Sequence, residues 1–104
     1  MNIDNYISLK AENIHKQLIS DILLNAEGAN ELLDRLTETI RYKEDYVWRA
    51  SVETAKVYLF IRRGNPSEVI KRGSGLVEIA ALLQEWELLS FDYNMIGSAY
   101  FNNL

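Results

Sequence analysis

Apolar residues recur at spacings of four and three from the start of the chain: Ile3, Ile7, Ala11, Ile14, Leu18 and Ile22. That spacing places them on one face of a helix. Asp4 or Asn2 can cap its start and Gly28 can stop it, so the first helix is expected over about residues 4–26. Asn30 then opens a second periodic run, with Leu33, Leu36, Ile40, Val47 and Ala50 on one face. A turn of only two or three residues around Gly28 makes the two an antiparallel helical hairpin.

The second run continues through Val52, Ala55 and Leu59. As one helix from 30 to 62 it would be about 50 Å long, against roughly 35 Å for the width of a compact chain of this size. Either it breaks near "RYKEDY" (41–46) or its far half packs on a second copy; the pattern favours a dimer or an elongated bundle. The short run "KVYLFI" (56–61) is aromatic and branched, and "VIKR" follows the next turn, so a β-hairpin over 56–72 is the alternative there. No Gly or Pro separates 56–61 from the helical pattern before it, so helix is preferred.

Asn65 at the N-cap, Pro66 at the first helical position and Glu68 at the third form a helix opening. Gly73 and Gly75 then predict a stop or kink, with Ser74 capping a further helix, "LVEIAALLQEWELL". Its stripe is Leu76, Ile79, Ala80, Leu83, Trp86 and Leu89, with Glu78 and Glu85 on a solvent face. The tail "SFDYNMIGSAYFNNL" is apolar and aromatic but poorly periodic. It is expected to pack on the bundle as a short helix, the alternative being a partner-binding segment. The fold class that follows is all-α: one domain over 1–104, a small bundle of three to five helices built on the N-terminal hairpin.

Composition narrows the chemistry more than it defines it. With 104 residues, 48% hydrophobic and 25% charged, the chain is an ordinary globular domain able to hold a modest core. It has no cysteine, which removes disulfides and thiolate metal sites. No basic n-region precedes an apolar block, and no apolar run approaches the ~20 residues of a membrane span, so a cytoplasmic protein is expected. The net charge of −4 is unevenly spread. Residues 1–34 carry two basic against six acidic side chains, residues 35–72 nine against five, and residues 73–104 four acids with no Lys or Arg. The +4 middle third can meet an acidic partner, or the acidic ends of a second copy.

Catalytic and cofactor motifs fail on inspection. "RRGNPSEVIKRGSG" (62–75) has glycines and cations, but its glycine spacing is not that of a P-loop, and Ser74 stands where the lysine belongs. "GSGLVE" has Glu78 in place of the third glycine of a dinucleotide fingerprint. Glu12 and His15 have the Glu-x-x-His spacing of di-metal helix bundles, yet the chain has one histidine, and a surface Glu and His are the simpler expectation. Glu31, Asp34 and Glu38 form an acidic ridge, with Arg35 and Arg41 spaced to make it an ordinary solvated face. With no cysteine and no nucleophile elbow, nucleophilic catalysis has no support. The expectation is no enzyme, no metal and no cofactor.

What remains is "RYKEDYVWR" (41–49), where Tyr42, Tyr46 and Trp48 interleave with Arg41, Lys43 and Arg49. Aromatic and basic side chains together suit protein hot spots or single-stranded nucleic acid. Glu44 and Asp45 would repel a phosphate backbone, which favours protein. The sequence therefore predicts a non-catalytic helical protein that binds another protein, of adaptor, chaperone-like, immunity or inhibitor type. Its candidate surface is Arg41, Tyr42, Tyr46, Trp48 and Arg49 joined to Arg62, Arg63, Lys71 and Arg72. The alternative is a nucleic-acid-associated regulator using the basic segment 35–72.

Overall fold

The computed structural model describes residues 3–102. Along them run seven helices: α1 (Ile3–Ile7), α2 (Ala11–Leu24), α3 (Ala29–Thr37), α4 (Ile40–Glu44), α5 (Tyr46–Arg62), α6 (Pro66–Leu82) and α7 (Trp86–Asn102). There is no strand among the described residues, and 56–61 lies inside α5, so the all-α expectation holds and the β-hairpin does not form. Five helices have nine or more residues; α1 and α4 are single five-residue segments.

Each departure from the expected boundaries has a local cause. The first helix is interrupted at Ser8–Lys10, where Ser8 Oγ donates to the Asn5 carbonyl (3.0 Å) and Lys10 is extended (φ −67°, ψ 143°). The break changes the buried register: Tyr6 turns into the core and Ile7 does not. The long second run is cut twice by capping side chains. Thr39 Oγ1 donates to the Leu36 carbonyl (2.8 Å) at the end of α3 and accepts from the Tyr42 N–H (3.2 Å) at the start of α4. Asp45 Oδ1 accepts from the Trp48 N–H (3.1 Å) and opens α5. The overlong helix therefore does not exist, and its argument for a second copy falls with it. The extents of 40 × 31 × 19 Å and radius of gyration of 12.9 Å are those of a single short bundle.

At the other joints glycine and its substitutes matter. Gly64 is left-handed (φ 70°) and ends α5 in a Schellman arrangement: Asn65 N–H to the Phe60 carbonyl (2.8 Å) and Gly64 N–H to the Ile61 carbonyl (3.0 Å). Gly73 and Gly75 stop nothing; α6 runs through both. The stop comes at Gln84, which adopts φ 56° so that Glu85 N–H reaches the Ala80 carbonyl (3.0 Å). Gly73 is instead a contact point between helices. A Cβ there would sit 2.5 Å from Ile96 Cγ1 and 2.7 Å from Cδ1, so in the antiparallel α6–α7 pair the Ile96 side chain fills the space that a side chain at 73 would need. The tail expected to be a short helix is a full helix, α7, seated on α6.

The core is organised around α5. Trp48, Val52, Ala55 and Leu59 face α2 (Ile14, Leu18, Ile22) and α3 (Ala29, Leu32, Leu33, Leu36) in the largest apolar cluster. Val57 joins Val69, Leu76, Met95 and Ala99 in a second, and Ala50 joins Ala80 and Leu88 in a third. Helices α2 and α3 thus find their main partner in α5 rather than in each other, while α1 packs on α3. Each buried Leu, Ile or Val contributes about 1.5–3 kcal/mol of hydrophobic transfer, so this three-sided seam outweighs the short helices' weak intrinsic stability.

Gly73 and Gly75 make opposite predictions. Gly75→Ala adds a Cβ with nothing within 4 Å in a helix interior and should raise stability by about 0.5–1 kcal/mol. Gly73→Ala should lower it by roughly 1–3 kcal/mol through overpacking, and the loss should shrink when Ile96→Ala makes room. Denaturant unfolding of the four variants checks this; equal stabilisation by both alanines would contradict the close α6–α7 contact.

Candidate protein-binding surface

The basic–aromatic segment 41–49 is folded largely onto itself. Trp48, one turn into α5, is 0% exposed, and the Arg41 guanidinium lies 4.2 Å from the centre of its ring. Arg41 also pairs with Asp45 (3.9 Å) and donates through Nη1 to the Ile7 carbonyl, tying the end of α1 to the start of α5. Arg49 donates from Nε to the Tyr42 carbonyl (3.1 Å) and from Nη2 to the Lys43 carbonyl (2.9 Å), satisfying two of the free carbonyls at the end of α4. Its guanidinium lies between the rings of Tyr42 (5.3 Å) and Tyr46 (5.2 Å). The Tyr42 hydroxyl donates to Glu53, which also accepts from Lys56 (3.2 Å). Burial, helped by Glu53, pushes the Tyr42 phenol up to about 12.

Of the five candidates in this segment, Trp48 is out of reach of any partner, a correction forced by its burial. Arg41, Tyr42 and Arg49 spend their polar groups on internal contacts. Only Tyr46 stands exposed. The spacing of aromatic and basic residues that suggested a recognition surface serves to clamp α1 and α4 onto α5.

The second half of the expected surface is more exposed. Arg62 and Arg63 at the end of α5, and Lys71 on α6, are exposed. None of the three shows an ion-pair partner among the described residues. Arg72 differs: its Nε donates to Glu68 (3.0 Å) and its guanidinium lies 5.3 Å from the Phe60 ring. Arg63 and Arg72 edge a small cleft of ≈ 150 Å³ between α3, α5 and α6, with Asn30, Asp34 and Lys56 on its other walls.

The residues considered for metal binding are separated by burial. Glu12 is in solvent, but His15, expected at the surface, is buried edge-on to Phe91 (6.4 Å between centroids, 61° between planes). Burial lowers the His15 pKa; Glu87 opposes the shift and Lys16 adds to it. Lys16 and Glu87 themselves pair at 2.8 Å across an apolar groove of ≈ 370 Å³ between α2 and α7, lined also by Ile19, Leu23 and Phe91. The hydrogen bond from Lys16 holds the Glu87 carboxyl below its ordinary value. Glu31, Asp34 and Glu38 are exposed, as an acidic solvated ridge requires.

Two features of α7 went unread in the sequence. On its inner face Asp92 is fully buried; the Thr54 hydroxyl donates to Oδ1 (3.0 Å), and Oδ2 has no hydrogen-bond partner among the described residues. Burial raises its pKa to about 6, with the Thr54 hydrogen bond pulling the other way. On its outer face Trp86, Tyr93 and Tyr100 are 63%, 58% and 57% exposed. Seven-residue spacing was the available signal, but Leu88, Met95 and Ala99 are buried on the opposite side. Apolar residues on both faces erase a single stripe, and Trp86, placed by periodicity in the core, faces solvent. Comparison with protein-family models, with curated proteins and with solved structures yields no match.

Asp92 makes a signed pH prediction. Its folded pKa of about 6 lies above the ordinary 3.8, so the folded chain holds a proton that the unfolded chain releases between those values. Its contribution is therefore favourable at low pH and lost as pH rises from about 4 to 6, by on the order of 3 kcal/mol. Asp92→Asn removes that term. The stability of the variant relative to the parent should rise by that amount between pH 4 and 7 in urea unfolding; a difference independent of pH would contradict the buried, half-satisfied carboxyl.

Proposed function

We propose that this chain is a non-catalytic protein-binding module that presents the basic edge Arg62, Arg63 and Lys71 to an acidic surface on another protein. The observation that supports the reading most is the contrast among the cations of the middle third. Arg41, Arg49, Lys56 and Arg72 are held by carboxylates or carbonyls of the chain itself. Arg62, Arg63 and Lys71 stand in solvent without such partners among the described residues. Arg35 and Lys43 are exposed without such partners as well, but only Arg62, Arg63 and Lys71 lie at the α5–α6 joint. A cation kept free on a rigid helical corner loses less entropy on binding than one on a loop, and complementary charge speeds encounter and selects the partner.

One further observation favours protein over nucleic acid. Single-strand binding uses aromatic rings beside the cations as stacking platforms, and in the 41–49 segment Trp48 is buried while Tyr42 is bonded to Glu53. No helix of the described residues is long and apolar enough to cross a membrane.

The triple variant Arg62→Glu, Arg63→Glu, Lys71→Glu should keep the helical circular dichroism spectrum, because all three side chains are exposed. Immobilised parent chain should retain an acidic protein from the source cells that the variant does not, and neither should shift the anisotropy of a labelled single-stranded oligonucleotide at low salt. Unchanged protein capture by the variant removes the basic edge as the interface. Oligonucleotide binding by the parent that is lost in the variant transfers the edge to nucleic acid.

A further inference from the structure

The outer face of α7 repeats itself end to end. Trp86, Ser90, Tyr93, Gly97 and Tyr100 fall within one narrow stripe at the alternating four- and three-residue spacing of a helix-pairing seam. Their order is aromatic, small, aromatic, small, aromatic, which reads alike in both directions, with Trp86 and Tyr100 each seven residues from Tyr93 and Ser90 and Gly97 three and four residues from it. The stripe lies opposite the face that buries Leu88, Asp92, Met95 and Ala99. It carries no charge, and the chain after Arg72 has no basic residue at all.

We propose that this stripe is the interface of a symmetric, antiparallel homodimer, with Tyr93 at the twofold axis and Trp86 of one copy against Tyr100 of the other. A twofold interface must be self-complementary, and a palindromic stripe meets that condition when it is laid antiparallel on itself. The same operation brings Ser90 within one residue of Gly97. Their small side chains let two helix axes approach to about 8 Å and leave room for rings from the facing helix. Charge agrees with the arrangement. Glu87, the acid nearest the stripe, is laid opposite residues 99–100, where there is no carboxylate, and it is already paired with Lys16 at 2.8 Å.

The surface is large enough. An aromatic side chain buries about 150–250 Å² when fully covered, and more than half of each of these three rings is open. Leu82, at the end of α6, and Phe101, beside Tyr100, are also largely exposed. Covering the set removes several hundred Å² per copy, the order of the ~800 Å² per partner of a stable interface. Exposed apolar patches of that extent on a soluble domain mark interaction sites. The interface is separate from the overlong helix that the sequence suggested as a dimer contact, and it does not use Arg62, Arg63 or Lys71.

The chain has no cysteine, so single introduced thiols report the geometry cleanly. Under mild oxidation Tyr93→Cys should link to itself. Ser90→Cys and Gly97→Cys should not self-link, because their like residues lie beyond the ~7 Å Cα separation that a disulfide tolerates, but a mixture of the two should form a mixed dimer. Light scattering should give twice the chain mass for the parent and for the Arg62, Arg63 and Lys71 charge-reversal variant. It should give the single-chain mass for Tyr93→Glu, with the helical spectrum unchanged. A parent of single-chain mass throughout the micromolar to millimolar range, or self-linking of Ser90→Cys in place of the mixed pair, overturns the proposal. Acidic-protein capture by a monomeric parent would overturn the dimer alone and leave the basic-edge reading standing.

Discussion

Between Val47 and Ile61 no residue of α5 is fully exposed, and that burial on every side is what the other helices depend on. A surface helix needs one apolar stripe; α5 has one in Trp48, Val52, Ala55 and Leu59 and also places Val57 and Ala50 in the two other clusters of the core. Ala50, Ser51, Thr54 and Ala55 are small enough for neighbours to approach from several directions at once, while Trp48 and Leu59 fill the space toward α2 and α3. Helices as short as α1 and α4 have no stability of their own in water. Side chains of α5 and its cap hold α4, Asp45 taking its Arg41 cation, Arg49 its last carbonyls and Glu53 the Tyr42 hydroxyl, and α1 is held in turn through Arg41 of α4 and Asp21 of α2.

Surrounding one helix so completely forces polar groups into the interior. Ser51 returns its hydroxyl to the Val47 carbonyl (2.8 Å), which costs little. Thr54 gives its hydroxyl to Asp92, leaving one carboxylate oxygen unpaired, and the Trp48 indole N–H has no acceptor among the described residues. An unsatisfied buried donor or acceptor costs about 1–3 kcal/mol. His15 acts in the opposite sense to Asp92: its lowered pKa means that stability falls as acidification forces the buried imidazole to charge. The two groups therefore tilt the pH dependence of the fold against one another, Asp92 favouring acid and His15 favouring neutral solution.

The helical periods of α2, α5 and α6 were legible because each buries a face whose apolar spacing is clean, and the Asn65–Pro66–Glu68 opening of α6 was read at the correct residue. The failures have physical reasons. Glycine was taken as punctuation, but Gly73 is kept small by Ile96, a residue on another helix and invisible to any local window. The true stop, Gln84, carries a side chain that disguises its left-handed backbone. The break at Asp45 fell within the segment 41–46, where the sequence allowed one, but Thr39 was a visible capping residue inside a run whose apolar period masked it. At the candidate surface, proximity in sequence placed Trp48 beside Tyr46, yet helical geometry points one inward and the other outward. The exposed cations at 62, 63 and 71 were legible because charge segregation along the chain survives folding.

Native-state hydrogen exchange tests most directly whether α5 holds the bundle together. If it does, the amides of Val52–Leu59 exchange last, with an opening free energy equal to that of global unfolding, while α1 and α4 open locally and α2, α3, α6 and α7 release no earlier than their contacts with α5 are lost. Exchange of the Val52–Leu59 amides ahead of those in α2 or the α6–α7 pair would contradict the account, because the outer helices would then be standing without the one they surround.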